Sequence, residues 1–469
     1  MDFRTVTVAE LAARVTGRSL TAGEVVAAAL DRIERLDGEL GAFVAVDADA
    51  AVAEAEAIDQ RIAAGDDVGP LAGVPLAVKD LEDAAGYVTT RGSVAFAEDP
   101  PAAADSPLVE RLRAAGCVVV GKTNTPELGY KPDTVNELFG ATHNPWAPGR
   151  SAGGSSGGSA AAIAAGLVPL ATGSDGGGSI RIPAAVTGLT GLKPSLGRVP
   201  SGGDSPPDWP LLSTRGPITR RARDLALALD VVVGPEPTDL SSLPLPDASW
   251  SRSLAELHAP RVVGWSPTLG YAHPDGEVLA VCESAVRRLE AAGTEVVVVD
   301  RVFEADPIDD WLALTSTWCL RTLEHLAEDE KWGRLDPGLV AGMDWSRRSV
   351  TAPRFARALD GCHTLNLALV ELFHRVPLLL TPTVAGQTPA IGEPGTIDGE
   401  PDPNWVRYTY PFNMTRSPAG TVCAGFTSDG MPVGLQVVGP QHADVAVLRL
   451  LTLLEDLLDL DPVAPFGGG

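Results

Sequence analysis

The sequence predicts a layered α/β fold around one largely buried sheet, and three observations carry that prediction. Short apolar runs, several of them β-branched, recur at residues 74–78, 118–120, 167–172, 262–264, 296–299 and 378–380. Helical segments such as residues 108–115 and 277–291 alternate with them, the pattern of a sheet whose strands are covered by helices on its faces. The composition, 45% hydrophobic and 5% aromatic with 50 Gly and 39 Pro, is that of an alanine- and glycine-rich globular chain with many turns and room for a large core.

Taken in order, the chain opens on a helical region over residues 1–65. Thr21 and Glu24 have the spacing of a capping box, and Val25, Val26, Ala29, Leu30 and Ile33 follow on one helical face. A second, alanine-rich helix is expected over residues 50–64, stopping before Gly65. The first strands follow, and then an alanine-rich helix over 160–165 leads into the strand at 167–172. The Pro- and Ser-rich stretch 235–251 reads as a surface crossing between halves of the sheet. Residues 302–359, with four Trp and many charges, read as helices laid over the sheet edge and covering the active site. There Trp318 and Cys319 are candidates for the leaving-group wall of a pocket. No repeat of fixed period divides the chain, so a single domain over 1–469 is expected.

The formal charge, 36 − 61 = −25, repels phosphate backbones and anionic lipid, and no local basic patch offsets it; nucleic acid is not an expected partner. Cys117, Cys282, Cys319, Cys362 and Cys423 are scattered without a CxxC pair, which fits reduced cytoplasm and neither a disulfide framework nor a thiolate metal site. The first residues lack a basic start followed by an apolar core, and no uncharged apolar run reaches the ~18 residues that span a bilayer, so no membrane partner is expected.

The chemistry concentrates in residues 151–183, SAGGSSGGSAAAIAAGLVPLATGSDGGGSIRIP. Two glycine clusters, GGSSGG at 153–158 and GSDGGGS at 173–179, frame the alanine-rich helix and the strand, and each delivers a serine. Glycine clusters suit a backbone that takes φ > 0 or approaches another group closely. Three glycines before Ser179 leave successive backbone N–H groups uncovered, a nest for an oxyanion. A flexible linker would show the same composition but not the buried, alanine-rich packing between the clusters.

A serine hydroxyl needs a base. His143, His258, His273, His325, His363, His374 and His442 are dispersed and read as surface or core residues. Residues 153–157 satisfy G-x-S-x-G, but a proline-broken loop precedes them where a nucleophile elbow requires a strand. Lys79 ends the apolar run 74–78, which would carry its amine into the interior; burial favours the neutral form, able to take a proton from a serine. Pairing of Lys79 with Asp80 or Glu82 is the equal alternative on local sequence.

At this point the chain resembles the amidase signature family. PLAGVPLAVKD (70–80), GKTNTPE (121–127), FGATHNPW (139–146), GGSSGGSAAAIAAG (153–166), GSDGGGSIRIPA (173–184), GLTGLKPSLGRV (188–199) and DGMPVGLQVVG (429–439) occur in that family's order and cover nearly the whole chain. The resemblance implies a three-layered α/β/α fold around one wide, mostly parallel mixed sheet. It implies Lys79 as base and proton shuttle, Ser155 as bridging serine after a cis Gly154–Ser155 bond, and Ser179 as nucleophile, with the spacing 179 − 155 = 24. The oxyanion hole would be the N–H groups of Gly176, Gly177, Gly178 and Ser179; Gly129, with Ser155, would contact substrate; Asp175 and Arg181 would support the loop. It implies acyl-enzyme hydrolysis of a small-molecule amide, extending in some members to carbamates or esters, with no metal and no organic cofactor, and it is compatible with a homo-oligomer. Ser174 and Gly176 stand where threonines are commoner, suggesting a roomier approach to the nucleophile. Arg416 and Cys423 stand where glycine and proline are more usual, which puts the pocket in question.

Two competing readings remain. Residues 116–123 satisfy the phosphate-loop pattern G-x-x-x-x-G-K-[ST], but Val118 to Val120 place a strand inside the motif where a cradle is needed. The glutamine-hydrolysing subunit of a tRNA-dependent amidotransferase shares the same triad, although YTYPFNMTRSPAGTVCAGF resembles free-standing amidases more closely.

Overall fold

The computed structural model describes residues 1–203 and 206–467. One mixed sheet organises the chain. In chain order its strands are β1 (Phe43–Val46), β2 (Pro75–Lys79), β3 (Val118–Thr123), β4 (Leu170–Asp175), β5 (Thr190–Lys193), β6 (Thr214–Thr219), β7 (Val262–Trp265), β8 (Glu295–Val298), β9 (Leu379–Pro382), β10 (Ala419–Phe426) and β11 (Pro432–Val438). These eleven lie in the order β1-β3-β2-β4-β6-β5-β10-β11-β9-β7-β8. The wings β3-β2-β4 and β9-β7-β8 pair in parallel. Antiparallel pairings run across the centre from β4 to β9.

The helices are α1 (Val8–Thr16), α2 (Ala22–Leu40), α3 (Ala48–Ala64), α4 (Pro107–Ala114), α5 (Gly157–Ala164), α6 (Arg181–Thr187), α7 (Ala222–Val232), α8 (Gly276–Ala291), α9 (Ile308–Leu323), α10 (Pro337–Ser349), α11 (Ala352–Phe373), α12 (Pro411–Met414) and α13 (Asp444–Leu458). The expected capping box opens α2: Glu24 N–H donates to Thr21 Oγ1 at 3.0 Å and Thr21 N–H to the Glu24 carboxylate at 2.8 Å. Val25, Val26, Ala29 and Ile33 turn inward. Gly65, at φ 88°, ends α3 in the left-handed conformation that glycine adopts without strain. Among the described residues no helix is long and apolar enough to cross a membrane.

One expectation needs correction, and one holds. The strand expected over 167–172 begins at Leu170 and runs to Asp175. Residues 166 and 167 instead complete the exit of α5, with Gly166 at φ 71° and the Leu167 N–H donating to Ala162 O at 2.8 Å. The strand therefore runs straight into the second glycine cluster. In the phosphate-loop look-alike, residues 118–123 are all strand β3. Lys122 is wholly buried and pairs with Asp80 at 3.1 Å, so no open backbone cradle exists for phosphate.

The topology places the site. β2 and β4 are parallel neighbours, with Leu76 opposite Leu170 and Ala77 opposite Ala171, so their carboxyl ends bring Lys79 beside Ser174. α5 and α6 pack against each other and against the central strands, holding both glycine clusters at that edge. α9, α10 and α11 gather in a second apolar cluster beside the main core. Trp318 and Cys319 sit inside it, 7% and 3% exposed, with Trp318 edge-on to Phe355 at 5.9 Å.

Candidate active site

Lys79 closes β2 with its side chain entirely buried. Its Nζ lies 2.8 Å from Ser155 Oγ and 3.0 Å from Ser174 Oγ. Burial pushes its pKa down to about 7, against the opposing pull of the Glu82 and Asp175 carboxylates. Neither neighbouring acid on the sequence takes it as an ion-pair partner: Asp80 is paired with Lys122 and Glu82 with Arg215. The lysine is thus aimed at hydroxyls. In the sequence Ser174 stands out only as a departure from threonine; its alternation with Thr172, whose Oγ1 accepts the Lys79 N–H at 2.9 Å, is the period-2 signal that places it beside the lysine.

Ser155 stands at the start of α5, after a cis Gly154–Ser155 peptide. Backbone from residues 131–133 approaches so closely that a side chain at 154 would meet Pro132 C and Asp133 N at 2.7 Å, which is why glycine stands there. The Ser156 N–H donates to Ser179 O at 3.2 Å and joins the two glycine clusters. Ser155 and Ser179 line the same cavity, with Gly129, at φ 68°, facing the Ser155 side chain. Among the described hydrogen bonds none joins the two hydroxyls, so Lys79 is bonded to Ser155 while Ser155 and Ser179 are not bonded to each other. Catalytic hydrogen bonds are often long before substrate binds.

Each peptide of the glycine loop before Ser179 has a defined orientation. The Gly176 carbonyl accepts from Trp311 Nε1 at 3.0 Å, and the Gly177 carbonyl from Thr409 Oγ1 at 2.6 Å. The Gly178 carbonyl accepts the Ile182 N–H at 2.7 Å. Among the described hydrogen bonds, the N–H groups of Gly176, Gly177 and Ser179 have no partner. The Gly178 N–H, expected in the oxyanion hole, donates instead to Asp175 Oδ1 at 2.8 Å. It serves the loop rather than the pocket.

Beneath the loop, Asp175 and Arg181 form a fully buried ion pair at 2.8 Å. Arg181 also donates to Thr409 O, Gln436 Oε1 and Asn413 Oδ1, which satisfies its guanidinium. Burial alone would raise the Asp175 pKa, but Arg181 outweighs it and holds the carboxylate at about 2.

Two cavities meet at Ser179. A small one of about 40 Å³ is lined by Ser155, Ser174, Gly176, Glu82, Asp208 and Arg215, among others. An apolar chamber of about 310 Å³ opens on the other side between Trp209, Trp311, Tyr410, Ile182, Val406 and Ile308. Trp311 stands edge-on to Trp209 at 5.8 Å and tilted on Tyr410 at 5.7 Å. Tyr130 and Lys131 complete its rim and are tied to Asp336, before α10, at 2.5 and 2.7 Å.

The covering segment 302–359 does reach the site, but through Ile308, Trp311 and Leu312 rather than Trp318 and Cys319. Seven residues apart, Trp311 and Trp318 share a face of α9 and are separated along its axis by about two turns, or about 10 Å, which leaves only Trp311 at the cavity. The expected extra room at Gly176 is also absent, because the Trp209 ring occupies the place of a side chain there. Arg416, at φ 60°, and Cys423 line other surface clefts, away from Ser179. The left-handed backbone at 416 explains why glycine suits that position.

A wide mixed sheet that brings a buried lysine, two serines and a glycine nest to one edge belongs to a class of enzyme, the hydrolases of amide carbon–nitrogen bonds. The chain matches the Amidase family over residues 24–329 and 348–448, and it belongs to the amidase signature family. It is 37% identical to an acylamidase of Rhodococcus erythropolis, over 94% of this chain and 93% of that protein. Identity to one of the chains of the glutamyl-tRNA(Gln) amidotransferase of Salinispora tropica is 35%, over 97% of this chain and 98% of that one. Its structure superposes on a bacterial aryl acylamidase of the amidase signature family with a TM-score of 0.91 and 29% identity, covering 98% of this chain and 99% of the other.

Proposed function

We propose that Ser179 is the nucleophile, Ser155 the proton bridge and Lys79 the base of an acyl-transfer triad acting on a small-molecule amide. The observation that carries this reading is the fully buried Lys79 amine, depressed to about 7 and 2.8 Å from Ser155 Oγ. Neutral Lys79 takes the Ser155 proton as Ser155 takes that of Ser179, and Ser179 Oγ adds to the amide carbonyl. The N–H groups of Gly176, Gly177 and Ser179 receive the oxyanion; Gly178 is left to Asp175. On collapse the carbon–nitrogen bond breaks and the proton returns through Ser155 to the leaving amine. Water then adds to the acyl-enzyme by the same relay, releasing the acid and regenerating Ser179. Gly129 and Ser155 bound the substrate at the junction of the cavities.

The net charge of −25 and the free cysteines support a cytoplasmic enzyme for small molecules rather than one for nucleic acid. The aromatic chamber suits an apolar group better than zwitterionic glutamine, which weighs against the amidotransferase reading. The test is Ser179→Ala together with fluorophosphonate labelling. Loss of amide turnover with an unchanged fold, and an adduct on Ser179, are expected; turnover by the variant or an adduct on another serine overturns the assignment.

A further inference from the structure

The two cavities beside Ser179 differ in size and chemistry, and the position of Ser155 says which half of the amide belongs in each. In the tetrahedral intermediate the carbon carries Ser179 Oγ, the oxyanion, the acyl chain and the amide nitrogen. With the oxyanion fixed on the Gly176, Gly177 and Ser179 amides, two directions remain for the last two substituents. The nitrogen must lie within hydrogen-bond reach of the hydroxyl that returns its proton. That hydroxyl is Ser155, and Ser155 lines the small polar cavity; the apolar chamber shares Gly129, Trp209 and Ser179 with it and is bordered by Gly154, but not by Ser155. The nitrogen substituent therefore points into the small cavity and the acyl chain into the chamber.

We propose, on the reading of the triad above, that this enzyme prefers amides of bulky apolar or aromatic acids with ammonia or a short alkylamine. The cavity on the nitrogen side, about 40 Å³, has room for about three waters at the roughly 10–15 Å³ each requires. Beside the nitrogen it has room for a group of that size and not for a ring; farther out it opens into a wider groove.

Its wall is also suited to receive an amine as it becomes an ammonium ion. Glu82 is 1% exposed and pairs through Oε1 with Arg215, while Oε2 is buried without a hydrogen-bond partner among the described residues. A buried carboxylate oxygen left unpaired is costly unless a donor arrives. The departing N–H groups, or the waters that replace them, supply one. Glu82, Ser201, Asp208 and Arg215 continue into a wide charged groove, a polar way out that does not cross the chamber. On the other side, about 310 Å³ enclosed by Trp209, Trp311 and Tyr410 offers a ring both area and edge-on or tilted aromatic contacts. The helical segment expected on the leaving-group side thus forms the acyl wall.

Two isomers of one formula test this without a difference in amide type. N-methyl-phenylacetamide carries its ring on the acyl side, and N-benzylacetamide on the nitrogen side. The expected result is a kcat/KM at least about tenfold higher for N-methyl-phenylacetamide, within the range a shaped apolar pocket supplies. Ile308→Trp, which fills the chamber, should shrink that ratio. Equal or faster hydrolysis of N-benzylacetamide overturns the orientation while leaving the amidase reading intact. Turnover of neither isomer by an enzyme that a fluorophosphonate labels at Ser179 overturns it as well. Failure of that labelling removes instead the serine-nucleophile reading on which the orientation rests.

Discussion

The indole N–H of Trp311, on α9, donates to the carbonyl oxygen of Gly176 at 3.0 Å. The carbonyl of one residue and the N–H of the next lie in one planar trans peptide and point in opposite directions. Holding the Gly176 carbonyl under Trp311 therefore turns the Gly177 N–H the other way, towards the place proposed for the oxyanion. A covering helix thus orients a peptide of the loop before Ser179, and on the proposed mechanism Trp311 is a positioning residue as well as a wall of the chamber.

Trp311→Phe keeps the ring and removes the N–H. Full loss of one oxyanion donor costs about 10²–10³ in kcat, and a loosened peptide should cost about tenfold. The distinguishing measurement uses a small acyl substrate such as acetamide, which does not reach the chamber. A fall in kcat there with little change in KM is expected; an effect confined to bulky acyl groups would reduce Trp311 to a wall.

The buried pair of Asp175 and Arg181 sets the other side of the loop. Asp175→Asn leaves the guanidinium charge buried without its counter-charge, and breaking such a pair costs about 3–5 kcal/mol. The Asp175 pKa is depressed to about 2 in the folded protein, so its stabilisation is complete above the ordinary value of 3.8 and lost as pH falls through 2. In urea unfolding the gap between the parent and Asp175→Asn should be widest at neutral pH and close as pH falls below 3.8.

Trp318 and Cys319 are core groups on the buried side of α9. Trp318→Ala should cost about 3–5 kcal/mol through the cavity it leaves, and Cys319→Ala about 1 kcal/mol. Melting temperatures should fall while the ranking of substrates by kcat/KM is retained. A changed ranking at unchanged stability would return these residues to the pocket.

The proposed triad positions stand out in the sequence through local features: glycine clusters that a close backbone approach explains, and a lysine at the end of an apolar strand. The order of the strands was not, since β6 inserts between β4 and β5 through pairings far apart in sequence. Nor was the division of labour among the loop amides, because the Gly178 N–H is claimed by an Asp175 oxygen whose direction depends on Arg181, and Arg181 in turn is held by Gln436 and Asn413. The chamber walls escaped for a similar reason. Trp209, Trp311 and Tyr410 lie on three separate segments, and nothing in the spacing of any one of them points to the other two.

The pH dependence of both rate and stability follows from Lys79. The relay needs the neutral amine, and burial brings its pKa down to about 7 from the ordinary 10.5. With chemistry limiting, kcat/KM should rise from acid to alkaline pH through an apparent midpoint near 7. In the unfolded chain the same lysine keeps its proton up to about 10.5, so between 7 and 10.5 unfolding takes up a proton. The folded state gains stability as pH rises through that window, and below it the desolvation of the charged form is felt in full. Lys79→Met removes the group from both states. Its stability relative to the parent should therefore be highest below pH 7 and decline steadily towards 10.5, while activity is absent throughout. Chemical denaturation of the two proteins at about pH 6, 8 and 10 reads the difference with every other titrating group, including the similarly buried Lys193, common to both. A difference that does not vary with pH would mean that Lys79 carries its proton in the folded enzyme, and a lysine base would go with it.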